Sequence, residues 1–186
     1  LDTNVALSHY HPDKKVTPQL DHIIEQHGLK SAFIFIPQFC ISELFNTFAK
    51  FHYRKKESYP EEYQESFLKD FKPLSSEDYQ KICSNFREDI KFGRLFYSYS
   101  LDRYHTFNAD SIFPFEHQIE LTRKNHKTGK DEPYFLSTFD ILIIAMGIEL
   151  ARIHGDTRTY ILTCDKRIKI IADNMRQSLL GNGSRK

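Results

Sequence analysis

Cysteine is scarce in this sequence: Cys40, Cys83 and Cys164 are the only three among 186 residues. An odd and scattered set supports neither a disulfide framework nor a cysteine-rich zinc site. Reduced thiols in a cytoplasm are therefore expected. Net charge is nearly absent as well, since 26 Lys and Arg stand against 25 Asp and Glu, leaving a formal +1. That balance argues neither for nor against a polyanionic partner, so local patches must decide. No apolar run approaches the length of a bilayer span, and no membrane helix is expected. Internal repeats and low-complexity tracts are missing. The first residue is Leu1 rather than Met, and it reads as the end of a strand. A preceding piece is expected, and the question of a signal peptide within it stays open.

What is present is enough for a core. Apolar residues make up 40%, with 16 Phe and 10 Tyr, which excludes a disordered chain. The length fits a single domain over 1–180, followed by a loose tail at 181–186. Leu1-Asp2-Thr3-Asn4-Val5 reads as a strand end followed by a turn, because Asp and Asn bond nearby backbone. Thr17-Pro18 suits a helix start, with Gly28 as its C-terminal cap. Ala32 to Ile36 is a short apolar run that predicts a buried parallel strand. Helix then follows from about Phe39 to Tyr53, with Ile41, Leu44, Phe45 and Phe48 inward.

The stretch 54–135 predicts an inserted, mainly helical block. Glu61 to Phe71 reads as helix, and Ser75 starts another that Gly93 ends. Tyr97, Tyr99 and Leu101 alternate like a strand. Asn108 is expected to cap a further helix, which Pro114 should break or restart. Lys124 to Pro133 reads as a polar loop. Ser137 and Asp140 stand at capping-box spacing before a helix that is apolar almost all round to Leu150. Tyr160 to Thr163 predicts a strand, and a last helix follows Asp165 with Ile168, Ile170, Ile171 and Met175 inward. Strand–helix alternation at both ends points to an α/β fold with a parallel sheet.

Four acids merit weighing. Asp2 and Asp165 each follow an expected strand, so both would emerge at the carboxyl edge of a parallel sheet, where ligands bind. Glu43 and Asp140 lie near helix N-termini, which start at that same edge. Singly, each acid is more simply a turn, a cap or a solvated side chain. Together they would repel one another unless a cation neutralised them. All-carboxylate ligation suits Mg²⁺ or Mn²⁺ rather than zinc.

Leu1-Asp2-Thr3-Asn4-Val5, Ile41-Ser42-Glu43-Leu44, Phe139-Asp140-Ile-Leu-Ile-Ile-Ala145 and Leu162-Thr163-Cys164-Asp165, in that order, resemble the PIN domain. The wording is similar to that of the nuclease toxins of VapC type and their relatives. The resemblance covers about 1–53 and 134–178 and leaves the middle unmatched. It implies a three-layer α/β/α fold around a central parallel sheet. It further implies a Mg²⁺- or Mn²⁺-dependent ribonuclease with metal ligands Asp2, Glu43, Asp140 and Asp165. Asn4 and Thr163 stand at the matching places of polar residues supporting those ligands. A small antitoxin protein and a homodimer are the partners such a likeness implies. The gap between Glu43 and Asp140 is longer than in a minimal toxin, and a strand after the last helix is not evident.

RNA contacts are expected from Lys166, Arg167 and Lys169, from Arg54, Lys55 and Lys56, and from Arg123 to Lys127. Tyr97, Tyr99 and Tyr104 are further candidates for stacking on bases. For each cluster a solvated charged face is the simpler explanation. Two other readings stay open. One is a PIN-fold binding module without activity. The other is a haloacid-dehalogenase-like phosphohydrolase, which wants an Asp where Asn4 stands.

Overall fold

The computed structural model describes residues 1–12, 18–53, 73–119, 122–124, 129–155 and 158–183. It is a mixed α/β chain in which helix predominates. Two compact units divide it: Leu1 with Thr3–Tyr99, and Asp2 with Ser100–Lys186. No helix of the described residues is long and apolar enough to cross a membrane.

The first unit begins with α1 (Thr3–Tyr10), where a turn was expected. Asp and Asn favour turns and helix starts for the same reason, their side chains bonding local backbone. Here the buried run Val5-Ala6-Leu7 tips the choice to helix. Next comes α2 (Pro18–Gly28), starting on its Pro; Thr17 lies outside the described residues. Its end is not built on Gly28. The left-handed residue is Lys30, with φ 57, and the amides of Lys30 and Ser31 reach back to the carbonyls of His27 and Gln26 at 2.9 Å each. Those bonds satisfy the orphan carbonyls of the last turn.

Strand β1 (Phe35–Pro37) runs straight into α3 (Gln38–Tyr53). The buried face of α3 is Cys40, Leu44, Phe48 and Phe51; Ile41, expected inward, is only half-buried. Helix α4 (Ser76–Lys91) is capped by Ser75, whose hydroxyl accepts from the Asp78 amide. It buries Ile82, Cys83 and Phe86. Phe86 meets Phe45 and Phe48 in tilted and edge-on contacts, with Tyr10 on the same cluster. Such aromatic pairs add about 0.5–1.5 kcal/mol each beyond the area they bury. Strand β2 (Tyr97–Tyr99) pairs with β1 in parallel, Ile36 opposite Ser98. This is the whole parallel sheet among the described residues. The block from 54 to 135 is thus not simply a helical insertion, since it supplies a strand to that sheet. The helix expected over 61–71 lies outside the described residues.

In the second unit α5 (Arg103–Asp110) starts on Asp102, which forms a capping box with His105. Asn108 lies inside this helix, not at the start of a new one. Helix α6 (Phe113–Gln118) carries Pro114 in its first turn, where a missing amide costs nothing. The expected polar loop holds a small antiparallel hairpin, β3 (Thr122–Lys124) with β4 (Asp131–Pro133). Helix α7 (Thr138–His154) and helix α8 (Lys166–Gly183) follow. Helix α8 carries on into the stretch expected to be a loose tail, and Ile170 on it is only half-buried. Ile112, Leu136, Ile141, Ile144, Ala145, Ile168, Ile171 and Met175 form the core of this unit. Fully burying an isoleucine, leucine or methionine side chain stabilises by roughly 1.5–3 kcal/mol. Tyr160 to Thr163, expected as a strand, joins no ladder among the described residues. A backbone bond from Asp2 N to Leu162 O, 3.0 Å, ties it to the opening of the chain instead.

Candidate functional site

Thr163 is the joint of the site. Its Oγ1 donates to Asp2 Oδ2 at 2.7 Å and accepts from the Asp165 amide at 2.9 Å. One hydroxyl thus holds two of the four expected acids together, 161 residues apart in sequence. Asp2 is 5% exposed. A carboxylate so placed needs fixed donors in place of water, and the Thr163 hydroxyl is one. No strand among the described residues leads into either acid; the Thr163 hydroxyl and the backbone bond from Asp2 N to Leu162 O bring them together where a sheet edge was expected to.

Asp165 also starts α8. Its Oδ1 accepts from the amides of Arg167 at 2.7 Å and Ile168 at 3.4 Å. Its Oδ2 accepts from the hydroxyl of Tyr134, the residue that follows β4. An acid at a helix N-terminus is favoured by the helix dipole. The bland explanation, a helix cap, is therefore fulfilled, but one lone pair of Oδ2 is left over.

Asp140 lies in the same unit and is half-buried. The capping box expected from its spacing is present: Asp140 Oδ2 accepts from Ser137 N at 2.9 Å and from Ser137 Oγ at 2.6 Å. Glu43 belongs to the other unit. It is exposed on α3 and accepts from the Thr3 hydroxyl at 2.6 Å. Asn4 is exposed on α1. Among the described residues, no group of three or more His, Cys, Asp or Glu side chains is drawn together as a metal site. The structure thus joins Asp2 to Asp165 and gives Asp140 and Glu43 separate local partners. By donor chemistry the joined set fits a hard cation, since its atoms are carboxylate, hydroxyl and phenol oxygens.

The basic candidates divide. Lys166 and Lys169 are exposed at the start of α8, close in sequence to Asp165. Arg167 is fully buried and ion-paired with Glu116, so it displays no charge to RNA. Its Nη2 donates to the carbonyls of Glu116 and Ile119, at 2.8 and 2.9 Å. The sequence did carry a signal for this: Arg167 stands four residues before Ile171, on the inward face of α8. Arg54, Lys55 and Lys56 lie outside the described residues. Of the aromatic candidates, Tyr104 and Tyr97 are exposed, and Tyr97 and Tyr99 meet Phe35 in tilted and edge-on contacts. Tyr134 carried no pattern of its own and went unnoticed.

A groove of about 570 Å³ also opens in this unit, lined by Ile144, Gly147, Ile148, Ile161 and Met175. Thr163 lines it, but Asp2, Asp140 and Asp165 do not, so it is not where the acids converge. Comparison with protein-family models, with curated proteins and with solved structures yields no match.

Proposed function

We propose that this chain is a Mg²⁺- or Mn²⁺-dependent endoribonuclease with the three-layer α/β/α architecture of a PIN-like domain. The observation that carries the reading is the Asp2–Thr163–Asp165 linkage, which unites the first and last of the four sequence motifs. Asp2 and Asp165 would hold the cation, with Asp140 contributing through the oxygen its cap leaves over. Glu43 enters on its place in the sequence pattern alone. A bound Mg²⁺ or Mn²⁺ supplies a hydroxide-like nucleophile near neutral pH and neutralises charge on the phosphate.

The protein residues do the remainder. Thr163 ties the Asp2 carboxylate to the backbone of Asp165. The amides of Arg167 and Ile168 keep Asp165 from rotating. Lys166 and Lys169 attract the RNA backbone, so binding weakens as salt rises. A role as the toxin of a toxin–antitoxin pair, and a homodimer, belong to the same proposal through the resemblance of the motifs.

The test is incubation of single-stranded and structured RNAs with the protein and Mn²⁺, Mg²⁺ or chelator, beside Asp140→Asn. Cleavage that needs the cation and vanishes in the variant is the expected result. Undiminished cleavage by Asp140→Asn, or cleavage in chelator, overturns the proposal.

A second reading has its own observation. One oxygen of Asp165 and one of Asp140 already serve helix starts, and the other oxygen of Asp165 takes the Tyr134 hydroxyl. This favours a catalytically silent module that uses the same acids structurally. RNA binding without cleavage under any cation would decide for it.

A further inference from the structure

We propose that Tyr134 is a positioning residue, through which Asp165 is held ready to take a divalent cation. The inference rests on the metal-site reading above. Three donors grip the Asp165 carboxylate. Two are backbone amides on Oδ1, those of Arg167 and Ile168. They cap the helix, and any N-cap acid would have them. The third is different in kind. Capping does not call for a phenol on Oδ2, yet the Tyr134 hydroxyl donates there from 31 residues away in sequence.

Geometry gives that bond a use. A carboxylate oxygen has two lone-pair positions. With the phenol on one, the other lone pair of Oδ2 is fixed in direction. Meanwhile the Asp165 amide is tied to Thr163, and Thr163 to Asp2. The free direction of Asp165 Oδ2 is thereby set relative to a second carboxylate. Hydrogen bonds to ligating carboxylates orient the ligand, and their loss commonly lowers metal affinity about 10–100-fold. Tyr134 itself is half-buried and follows directly on the β3–β4 hairpin, so its backbone is anchored.

The experiment is Mn²⁺ binding to the full chain by titration calorimetry. Wild type, Tyr134→Phe, Asp165→Asn and the double variant are compared, with melting in chelator measured for each. Tyr134→Phe keeps the ring and removes only the donor. It is expected to weaken Mn²⁺ binding about tenfold, while the melting temperature in chelator falls only by what one hydrogen bond contributes. In the Asp165→Asn background the same change should have no further effect, because the phenol acts through that carboxylate. A Tyr134→Phe protein that binds Mn²⁺ like wild type, while Asp165→Asn loses it, sinks the role of Tyr134 and spares the metal site. Equal loss in both backgrounds also sinks it. If wild type takes up no Mn²⁺, or Asp165→Asn binds unchanged, the metal site itself is refuted and the role of Tyr134 goes with it.

Discussion

Glu116 and Arg167 lie 51 residues apart in sequence and meet out of reach of water, Nε donating to both carboxylate oxygens at 2.9 and 3.0 Å. Glu116 Oε1 also accepts from the Leu136 amide at 2.8 Å. Leu136 immediately precedes the capping box that holds Asp140, and Arg167 is two residues past Asp165. One ion pair therefore braces the backbone beside two of the candidate acids. Removing one partner leaves a buried charge uncompensated. Either Glu116→Gln or Arg167→Met is expected to cost about 3–5 kcal/mol, read from urea unfolding. The double variant should lose clearly less than the two single losses added together.

The cap on α7 makes a separate prediction. Ser137→Ala removes the acceptor for the Asp140 amide and the hydroxyl that steadies its carboxylate. A stability loss of about 1 kcal/mol is expected. If Asp140 takes part in cation binding, Ser137→Ala should also weaken Mn²⁺ uptake, whereas Ser75→Ala on α4 should cost similar stability with no effect on uptake. Equal effects of the two caps on Mn²⁺ would count against Asp140.

Gly147 sits in the middle of α7 with the side chain of Ile161 pressed against it. A Cβ there would come within 2.7 Å of Ile161 Cδ1 and 2.8 Å of Cγ1. Alanine gains about 1 kcal/mol in helix propensity, but overpacking costs about 1–3 kcal/mol. Because Cγ1 is not the free end of the isoleucine, the clash prevails, and Gly147→Ala should lower the melting temperature. In an Ile161→Ala background the same change should become stabilising.

Alkaline pH should act through Tyr10. Burial, and then its 2.7 Å hydrogen bond to Asp89, pushes the phenol far above its ordinary range. An unfolded tyrosine ionises near pH 10, roughly. Above that, the unfolded chain releases a proton that the folded chain keeps, so stability falls as pH rises. Below it the contribution is complete and flat. Tyr10→Phe should cost about 1 kcal/mol at neutral pH, and the gap to wild type should shrink between about pH 9 and pH 11. A gap that stays constant over that window refutes the account.

Local chemistry was legible in the sequence. Ser137 and Asp140 announced their capping box by spacing, Ser75 announced α4, and the apolar run to Leu150 announced a buried helix. Pairing was not legible. Tyr160 to Thr163 has the composition of a strand, but a strand exists only with a neighbour, and composition does not specify one. Leu1 to Val5 reads as a turn where α1 starts, because Asp and Asn open turns and helices with the same hydrogen bonds. In the site, Asp2, Thr163 and Asp165 were marked by their neighbours in the chain. Arg167 was marked for the wrong reason, since its charge drew notice and its place on the inward face of α8 did not. Glu116 stands in a helix of six residues and Tyr134 in the irregular stretch after β4, both too short for periodicity to point to a side chain.

The bond from Asp2 to Leu162 has a consequence for how the molecule is made. A contact over so long a separation forms late, after the entropy of closing the intervening loop has been spent. On the ribosome, Asp2 must wait until Leu162 and Thr163 have emerged. Until then neither the buried place of its carboxylate nor its link to Asp165 exists. Any chemistry that needs both acids together is consequently withheld from a nascent chain until Leu162 and Thr163 are in place.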